Sequence, residues 1–265
     1  MTSDSTQSDA MWPGMLDDKT ERLHGLIGSV RFVLFDFDGP LCRLFAGRSA
    51  EGVAKAQVRW LESRGLRGLL TADLREDPDP FVVLRAVDRR LPGSDLSAEL
   101  EAMLTRHEVS AVASAWPTPY ADPLIRTWTA VGARLAITSN NAPEAVSRYL
   151  ASRGLMDCFA PHIYGRCTRN LALLKPDPHC VRRALTAMGA DPKSTLLIGD
   201  APSDFLAARR AGVGFLGYAR NDRKAGLLHD AGAGHLVSSL EPVLRAVVSA
   251  ARARKSGPTE FSWGP

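Results

Sequence analysis

The stretch Val30 to Leu41, VRFVLFDFDGPL, decides how the rest of the chain is read. Val30 to Phe35 is a nearly unbroken apolar run, rich in β-branched and aromatic residues. That is the composition of a strand buried on both faces of a parallel sheet. Asp36 and Asp38 follow at i and i+2, and Gly39-Pro40 then breaks the chain. A strand running that far sets both carboxylates on one side. Ligand sites in open α/β sheets lie at the carboxyl ends of strands. Two neighbouring acids repel each other unless a cation lies between them or one keeps its proton. Taken alone, the stretch reads equally well as a strand ending in a solvated acidic turn.

The whole chain narrows the field. Its 265 residues suffice for one large domain or two modest ones with a sizeable core. The net charge of +4 is small and neither terminus is densely basic, so charge does not point to nucleic acid. Cys42, Cys158, Cys167 and Cys180 form no CxxC pair and no zinc-ligand spacing. They read as reduced thiols rather than a disulfide framework. No apolar run approaches the roughly 20 residues that span a bilayer, and the polar start MTSDSTQSDA lacks a signal-peptide pattern. A soluble cytoplasmic protein without membrane contact is the expectation.

Residues 1–24 are expected to form a polar tail, with Met11, Trp12 and Met15 as points where it rests on the body. Between Arg43 and Trp116 the periodicity is helical throughout: Ser49 to Arg64, Pro80 to Leu91, and Leu96 to about Ala115. From Pro117 onward helices and strands alternate. Strands are expected at Arg134 to Thr138, His162 to Tyr164, Thr195 to Ile198, Val213 to Tyr218 and His235 to Val237. Helices are expected at Tyr120 to Val131, Pro143 to Arg153, Asp177-Pro178 to Met188, Ser203 (as cap) to Ala211, Lys224 to His229 and Glu241 to Arg254. Such repeated units imply an α/β fold with a Rossmann-like, doubly wound parallel sheet. The first strand is cut off from the others by the helical block, which is therefore an inserted all-helical domain. The expected division is a core of 25–42 and 117–254, a cap of 43–116, and tails of 1–24 and 255–265.

Three more sites follow strand ends or precede a helix. Ser139-Asn140, after the strand ending at Thr138, offers a hydroxyl and backbone N–H groups, either an anion cradle or an ordinary helix cap. Lys175-Pro176 stands in a Leu-rich loop of low charge, a point charge for phosphate or a stray surface lysine. Gly199-Asp200 through Asp204 repeats the pairing of a strand end with two acids. Hard cations such as Mg²⁺ take one or two carboxylates with water and phosphate oxygens, though Asp204 could equally favour its helix through the dipole.

In this order the four sites resemble the motifs of the haloacid-dehalogenase-like hydrolases, most of them Mg²⁺-dependent phosphatases. Asp36-Phe37-Asp38-Gly39 matches the first motif, Ser139-Asn140 the second, Lys175-Pro176 the third, and Gly199-Asp200 through Asp204 the fourth. The helical block is similar to the family's cap, and the resemblance, covering about residues 28 to 240, lies nearest the phosphoglycolate-phosphatase-like branch. It implies that Asp36 attacks phosphorus, dividing a very slow hydrolysis through an aspartyl-phosphate. Asp38 would act as general acid and base. Mg²⁺ would be held by Asp36, the Asp38 carbonyl and Asp200, with Asp204 assisting through water or the other ligands. Ser139, Lys175 and the backbone around Phe37, Asp38 and Asn140 would hold the phosphoryl oxygens of a small phosphorylated metabolite.

Asp38 argues against a dehalogenase. The only cap lysine, Lys55, lies on an amphipathic helix, which argues against a phosphonate hydrolase working through a Schiff base. A sugar-phosphate mutase shares all four motifs, and a non-catalytic binding protein would be expected to have lost Asp36 or Asp38. Pro40 departs from the family's usual Thr or Val; it removes an N–H and fixes φ. Arg43, Arg48, Arg59 and His107 are cap residues for which a solvated face is the simpler reading. The sequence does not fix an oligomeric state.

Overall fold

A computed structural model describes residues 13–166 and 170–255. Met11, Trp12, Cys167 and the tail beyond Lys255 lie outside them. The chain runs α1 (Pro13–Gly28), β1 (Phe32–Phe35), β2 (Cys42–Arg43), then α2 (Ala50–Ser63), α3 (Ala72–Glu76), α4 (Pro80–Arg90) and α5 (Asp95–Ala111). It returns through β3 (Trp116–Pro117), α6 (Ala121–Ala130), β4 (Arg134–Thr138), α7 (Pro143–Ser152), α8 (Met156–Phe159) and β5 (Ile163–Tyr164). It closes with α9 (His179–Met188), β6 (Thr195–Gly199), α10 (Pro202–Ala211), β7 (Gly214–Tyr218), α11 (Asp222–Asp230), β8 (Leu236–Val237) and α12 (Glu241–Lys255).

The six-stranded sheet is parallel throughout, in the order β5-β4-β1-β6-β7-β8. β1 sits near its middle, with Phe35 level with Ile137 of β4 and Ile198 of β6. This explains why the opening stretch is apolar without alternation: both faces are covered. Val33 and Phe35 face a layer built by α1, α6, α7 and α12, and Phe35 meets Trp128 and Phe159 edge-on at 5.9 and 6.0 Å. Leu34 faces the opposite layer, among Val181 of α9, Ala207 of α10 and Leu228 of α11.

The expected tail needs correction. α1 begins at Pro13, so the second half of 1–24 is helical. Its polar composition hides a short apolar edge, Leu23, Leu26 and Ile27, which packs into the layer beneath β1 and holds the helix along α12.

The inserted helices form a cap with their own core of Val53, Leu61, Val83, Leu84, Leu100 and Leu104. Leu171 and Leu174, from the loop ahead of Lys175, complete that core from the other domain, which accounts for the leucines of this loop. The chain enters and leaves the cap through a small antiparallel ribbon, β2 against β3, pairing Cys42 with Pro117 and Arg43 with Trp116. β2 and β3 are too short to carry a sequence period, and neither was expected.

Candidate active site

Asp36, Ser139 and Asp200 each come one residue after the end of a strand, β1, β4 and β6. Adjacent parallel strands therefore set all three along the carboxyl edge of the sheet. The ladder reaches into the site, since Asp36 N–H donates to Ile198 O at 2.9 Å and Ser139 N–H to Tyr164 O at 3.0 Å. These residues, with Asp38, Asn140, Lys175 and Asp204, line one cavity of about 400 Å³, roofed by Phe45, Ala50, Asp79, Phe81 and Arg85 of the cap. The backbone is cut to fit. Gly39 has φ of +128°, and a Cβ there would collide with the Asp200 carboxylate. A Cβ at Gly199 would run into Asp204.

Lys175 is 1% exposed, so it is no surface lysine. Its ammonium donates to Asp36 Oδ1 at 2.7 Å, Asp204 Oδ1 at 2.6 Å and Thr138 O at 2.8 Å. Those are all three of its donors, and contact with a phosphoryl oxygen requires one to be given up. The flanking carboxylates hold its pKa well above the usual lysine range against the effect of burial. Asn140 does not offer its side chain to a ligand. Its Oδ1 accepts from Lys175 N–H at 2.8 Å and its Nδ2 donates to Lys175 O at 3.2 Å, tying the second site to the third. Arg85 donates to the same Lys175 carbonyl at 2.6 Å from the cap side.

The aromatic ring of Phe37 packs in the core against Tyr149, at 5.4 Å between centroids. Only its backbone is left for a ligand. Ser203 does not cap α10, which starts at Pro202. The Asp204 carboxylate does that work, since its Oδ2 accepts from the N–H of Asp200 at 3.1 Å and of Ala201 at 3.0 Å. Asp177 keeps its expected role in part, accepting from His179 N–H at 2.9 Å ahead of α9.

The carboxylates are poised by burial. Loss of water pushes Asp36, Asp38 and Asp200 each up to about 6, their acidic neighbours adding to the rise. Asp36 Oδ1 is engaged by Lys175, while Oδ2 meets no donor among the described residues. Asp38 Oδ1 accepts from Leu44 N–H at 2.9 Å, just beyond the entry into the cap. Asp36, Asp200 and Asp204 can bring one oxygen each to within 4.8 Å of one another. A buried set of hard oxygen donors with protonation equilibria shifted upward fits a small divalent cation. Both Asp204 oxygens already accept bonds, whereas Asp36 and Asp200 each have one oxygen paired with a lysine and one left over.

Sequence reasoning missed several neighbours. Lys224, in the first turn of α11, lies 2.8 Å from Asp200 Oδ2. It follows the carboxyl end of β7, and the strand-end rule that found Asp36 could have found it. Arg220, two residues beyond the same strand, lines the cavity with the same signal, whereas Arg85 of the cap lines it without one. Of the cap candidates Arg43 lines the cavity, its guanidinium 5.3 Å from the Trp116 ring, whereas Arg48, Arg59 and His107 do not line it. Lys55 pairs on the surface with Glu51 at 2.5 Å. A larger omission is Arg166, fully enclosed between Glu101 and Glu108 of α5 at 2.8 and 3.0 Å.

Comparison with known proteins decides the family. Residues 30–212 match the haloacid dehalogenase-like hydrolases. The chain belongs to that family. A phosphoglycolate phosphatase of Rhodospirillum rubrum is 31% identical over 191 residues, covering 68% of this chain and 76% of the relative. One of Aquifex aeolicus is 26% identical over 185 residues, covering 69% and 82%. Among solved structures, a predicted phosphatase from Clostridium acetobutylicum superposes with a TM-score of 0.63 at 15% identity, covering 83% of this chain and 99% of that one. The last likeness is one of fold.

In this haloacid dehalogenase-like hydrolase the unusual Pro40 is accommodated by its turn. Gly39 N–H donates to Cys42 O at 2.7 Å, and Leu41 and Cys42 N–H both donate to Phe37 O at 3.3 Å. The bonds that close the turn come from either side of position 40, so a missing amide there goes unfelt. Thr118 Oγ1 fastens the Gly39 carbonyl at 2.6 Å.

Proposed function

We propose that the protein is a Mg²⁺-dependent phosphatase of small phosphorylated metabolites, working through an aspartyl-phosphate on Asp36. One observation carries the reading: Asp36 presents one free carboxylate oxygen to the cavity, its other oxygen held by a lysine fixed on three sides. A carboxylate oriented this way is a nucleophile rather than a solvated acid. Asp36 Oδ2 attacks phosphorus, and the P–O bond to the leaving oxygen breaks. Asp38 donates its proton to that oxygen, and then takes one from the water that cleaves the acyl phosphate, releasing phosphate and restoring Asp36. A group near 6 serves both steps at neutral pH.

Ser139, Lys175 and the backbone at Phe37 and Asp38 hold the phosphoryl oxygens. Asp36, Asp200 and the Asp38 carbonyl would hold Mg²⁺, which supplies charge neutralisation for the transferring group. Asp204 keeps Lys175 and the Asp200 loop in place. The names of the relatives make phosphoglycolate the first substrate to try. The test is phosphate release from an aryl phosphate and from a metabolite panel containing phosphoglycolate, with and without Mg²⁺. Full activity in Asp36→Asn, or no Mg²⁺-dependent release from any ester, sinks the reading.

A further inference from the structure

The cap reaches Ser139 through a chain of buried contacts. Glu108, near the C-terminal end of α5, is wholly enclosed. Its Oε1 accepts from Asn141 Nδ2 at 3.0 Å and its Oε2 from Ala142 N–H at 2.9 Å. Arg166 grips both of these oxygens at 3.0 Å. A carboxylate accepts hydrogen bonds and donates none. The Asn141 amide must therefore turn its NH₂ toward Glu108, which leaves Oδ1 on the side of Ser139. There Oδ1 takes the Ser139 hydroxyl hydrogen at 3.0 Å, while Asn141 N–H donates to Ser139 Oγ at 3.2 Å. A flipped amide would press its carbonyl oxygen against the Glu108 carboxylate.

Serine has one hydroxyl hydrogen. With Glu108 in place, that hydrogen rests on Asn141 and swings to the cavity only when a stronger acceptor arrives. Arg166 holds the same loop from the other side, donating to Asn140 O at 2.9 Å. The loop that carries Ser139 is thus fastened at Asn140, Asn141 and Ala142 to a charge pair shared with the cap.

We infer that Glu108 is a positioning residue for Ser139: acting through Asn141, it sets the hydroxyl and makes the geometry of the anion-binding loop depend on a seated cap. Glu108 touches no reacting atom, and Arg166 balances its charge. This rests on the phosphatase reading in one respect, that Ser139 meets a phosphoryl oxygen.

The experiment compares wild type, Glu108→Gln, Glu108→Met and the triple variant Glu101→Gln, Glu108→Met, Arg166→Met. Melting temperature, kcat and KM on an aryl phosphate, and affinity for inorganic phosphate in Mg²⁺ by calorimetry are measured for each. Residues that orient the ligands of a metal are typically worth about 10- to 100-fold, and a residue that orients an anion-binding hydroxyl is expected to act on the same scale. Glu108→Gln leaves an amide able to satisfy only one of the two donors, so phosphate affinity and kcat/KM should fall by about that factor. The triple variant removes all three buried charges, and such replacements often regain stability. It should recover most of the melting temperature lost in Glu108→Met while kcat/KM stays low.

Recovery of kcat/KM along with melting temperature overturns the inference, because the network would then be packing alone. So does phosphate affinity in Glu108→Gln equal to wild type, or a wild type that binds no phosphate. Failure of the phosphatase reading is separate: it shows as wild type that binds phosphate yet releases none from any ester, and loss of that binding in Glu108→Gln still supports the role of Glu108.

Discussion

Two clusters of buried charge meet at the loop of Asn140 to Ala142, tied to it through Lys175 on one side and through Arg166 and Glu108 on the other, and they are built to opposite ends. At the sheet edge, Asp36, Asp38, Asp200 and Asp204 face two ammonium groups, Lys175 and the partly exposed Lys224. Asp79, Arg43, Arg85 and Arg220 line the same cavity, yet Asp36 keeps an oxygen without a donor among the described residues, and three of the carboxyls are pushed up to about 6 by burial. At the cap seam, Arg166 directs its N–H groups to Glu101, Glu108, Thr105 and the Asn140 carbonyl, with two bonds going to Glu108. Those are all five donors of a guanidinium. The first cluster keeps unmet demand, which is what a cation or a phosphoryl group answers. The second is closed, and what it supplies is a fixed geometry. Burial alone does not distinguish chemistry from scaffolding, whereas the count of unanswered donors and acceptors does.

The sharpest way to break that contrast is at the open cluster. Asp38→Asn keeps the shape and removes the proton that, on the proposed reading, passes to the leaving oxygen. General acid–base groups contribute about 10²- to 10⁴-fold, so kcat should fall by that order on an alkyl phosphate. The loss should be smaller on p-nitrophenyl phosphate, whose leaving group needs little protonation. Equal losses on both esters would mean that Asp38 shapes the site without transferring a proton.

The closed cluster should respond in stability. Arg166→Met strands Glu101 and Glu108 without their counter-ion, and uncompensated buried charge of this kind costs about 3–5 kcal/mol. Urea unfolding should show that loss. A change below about 1 kcal/mol would place the network among exposed ion pairs, which contribute that little, and its buried geometry would be misread.

The two clusters also differ in how well the sequence foretold them. Asp36, Ser139 and Asp200 were legible because each terminates a short apolar run, and parallel pairing then brings strand ends together whatever the loops do. Lys175 was legible by its scarcity among arginines and its apolar surroundings, but its partners were not: Asp204, expected near a metal and grouped with Asp36 and Asp200, also anchors the lysine. Arg166 and Glu108 are 58 positions apart, and each alone reads as a charged residue on a solvated surface. Nothing local marks them as a pair. α1 was hidden in the same way, since among its described side chains the core is met by Leu23, Leu26 and Ile27. Periodicity reports what a segment buries along one face. It says nothing of two charges that neutralise each other across a seam.

The three raised carboxyls should appear as a pH dependence of the metal-free protein. Asp36, Asp38 and Asp200 titrate near 3.8 when unfolded and near 6 when folded. Between those values the native state holds more protons, so stability falls as pH rises through the window and is fully lost, for these groups, above about 6. Melting temperature without metal should therefore drop between pH 4 and pH 6.5. Added Mg²⁺ should raise it clearly at pH 7.5 and little at pH 4.5, where protons compete for the same oxygens. A metal effect equal at both pH values would mean the cation binds elsewhere.

The smallest expected effect tests whether the open cluster is limited by its own lysine. Lys224 Nζ sits 2.8 Å from Asp200 Oδ2, with its side chain 27% exposed. A divalent cation using Asp200 meets this ammonium either as a competitor for the oxygen or as a neighbouring like charge. Both weaken binding, and partial exposure keeps the penalty near the 0–1 kcal/mol typical of solvent-accessible pairs. Lys224→Met should then tighten Mn²⁺ binding, followed by electron paramagnetic resonance, by a few-fold at most. Removal of Arg166 from the closed cluster should leave that affinity far less changed than it leaves stability. Weaker Mn²⁺ binding in Lys224→Met would reverse the assignment, making the lysine a support that orients Asp200 toward the ion.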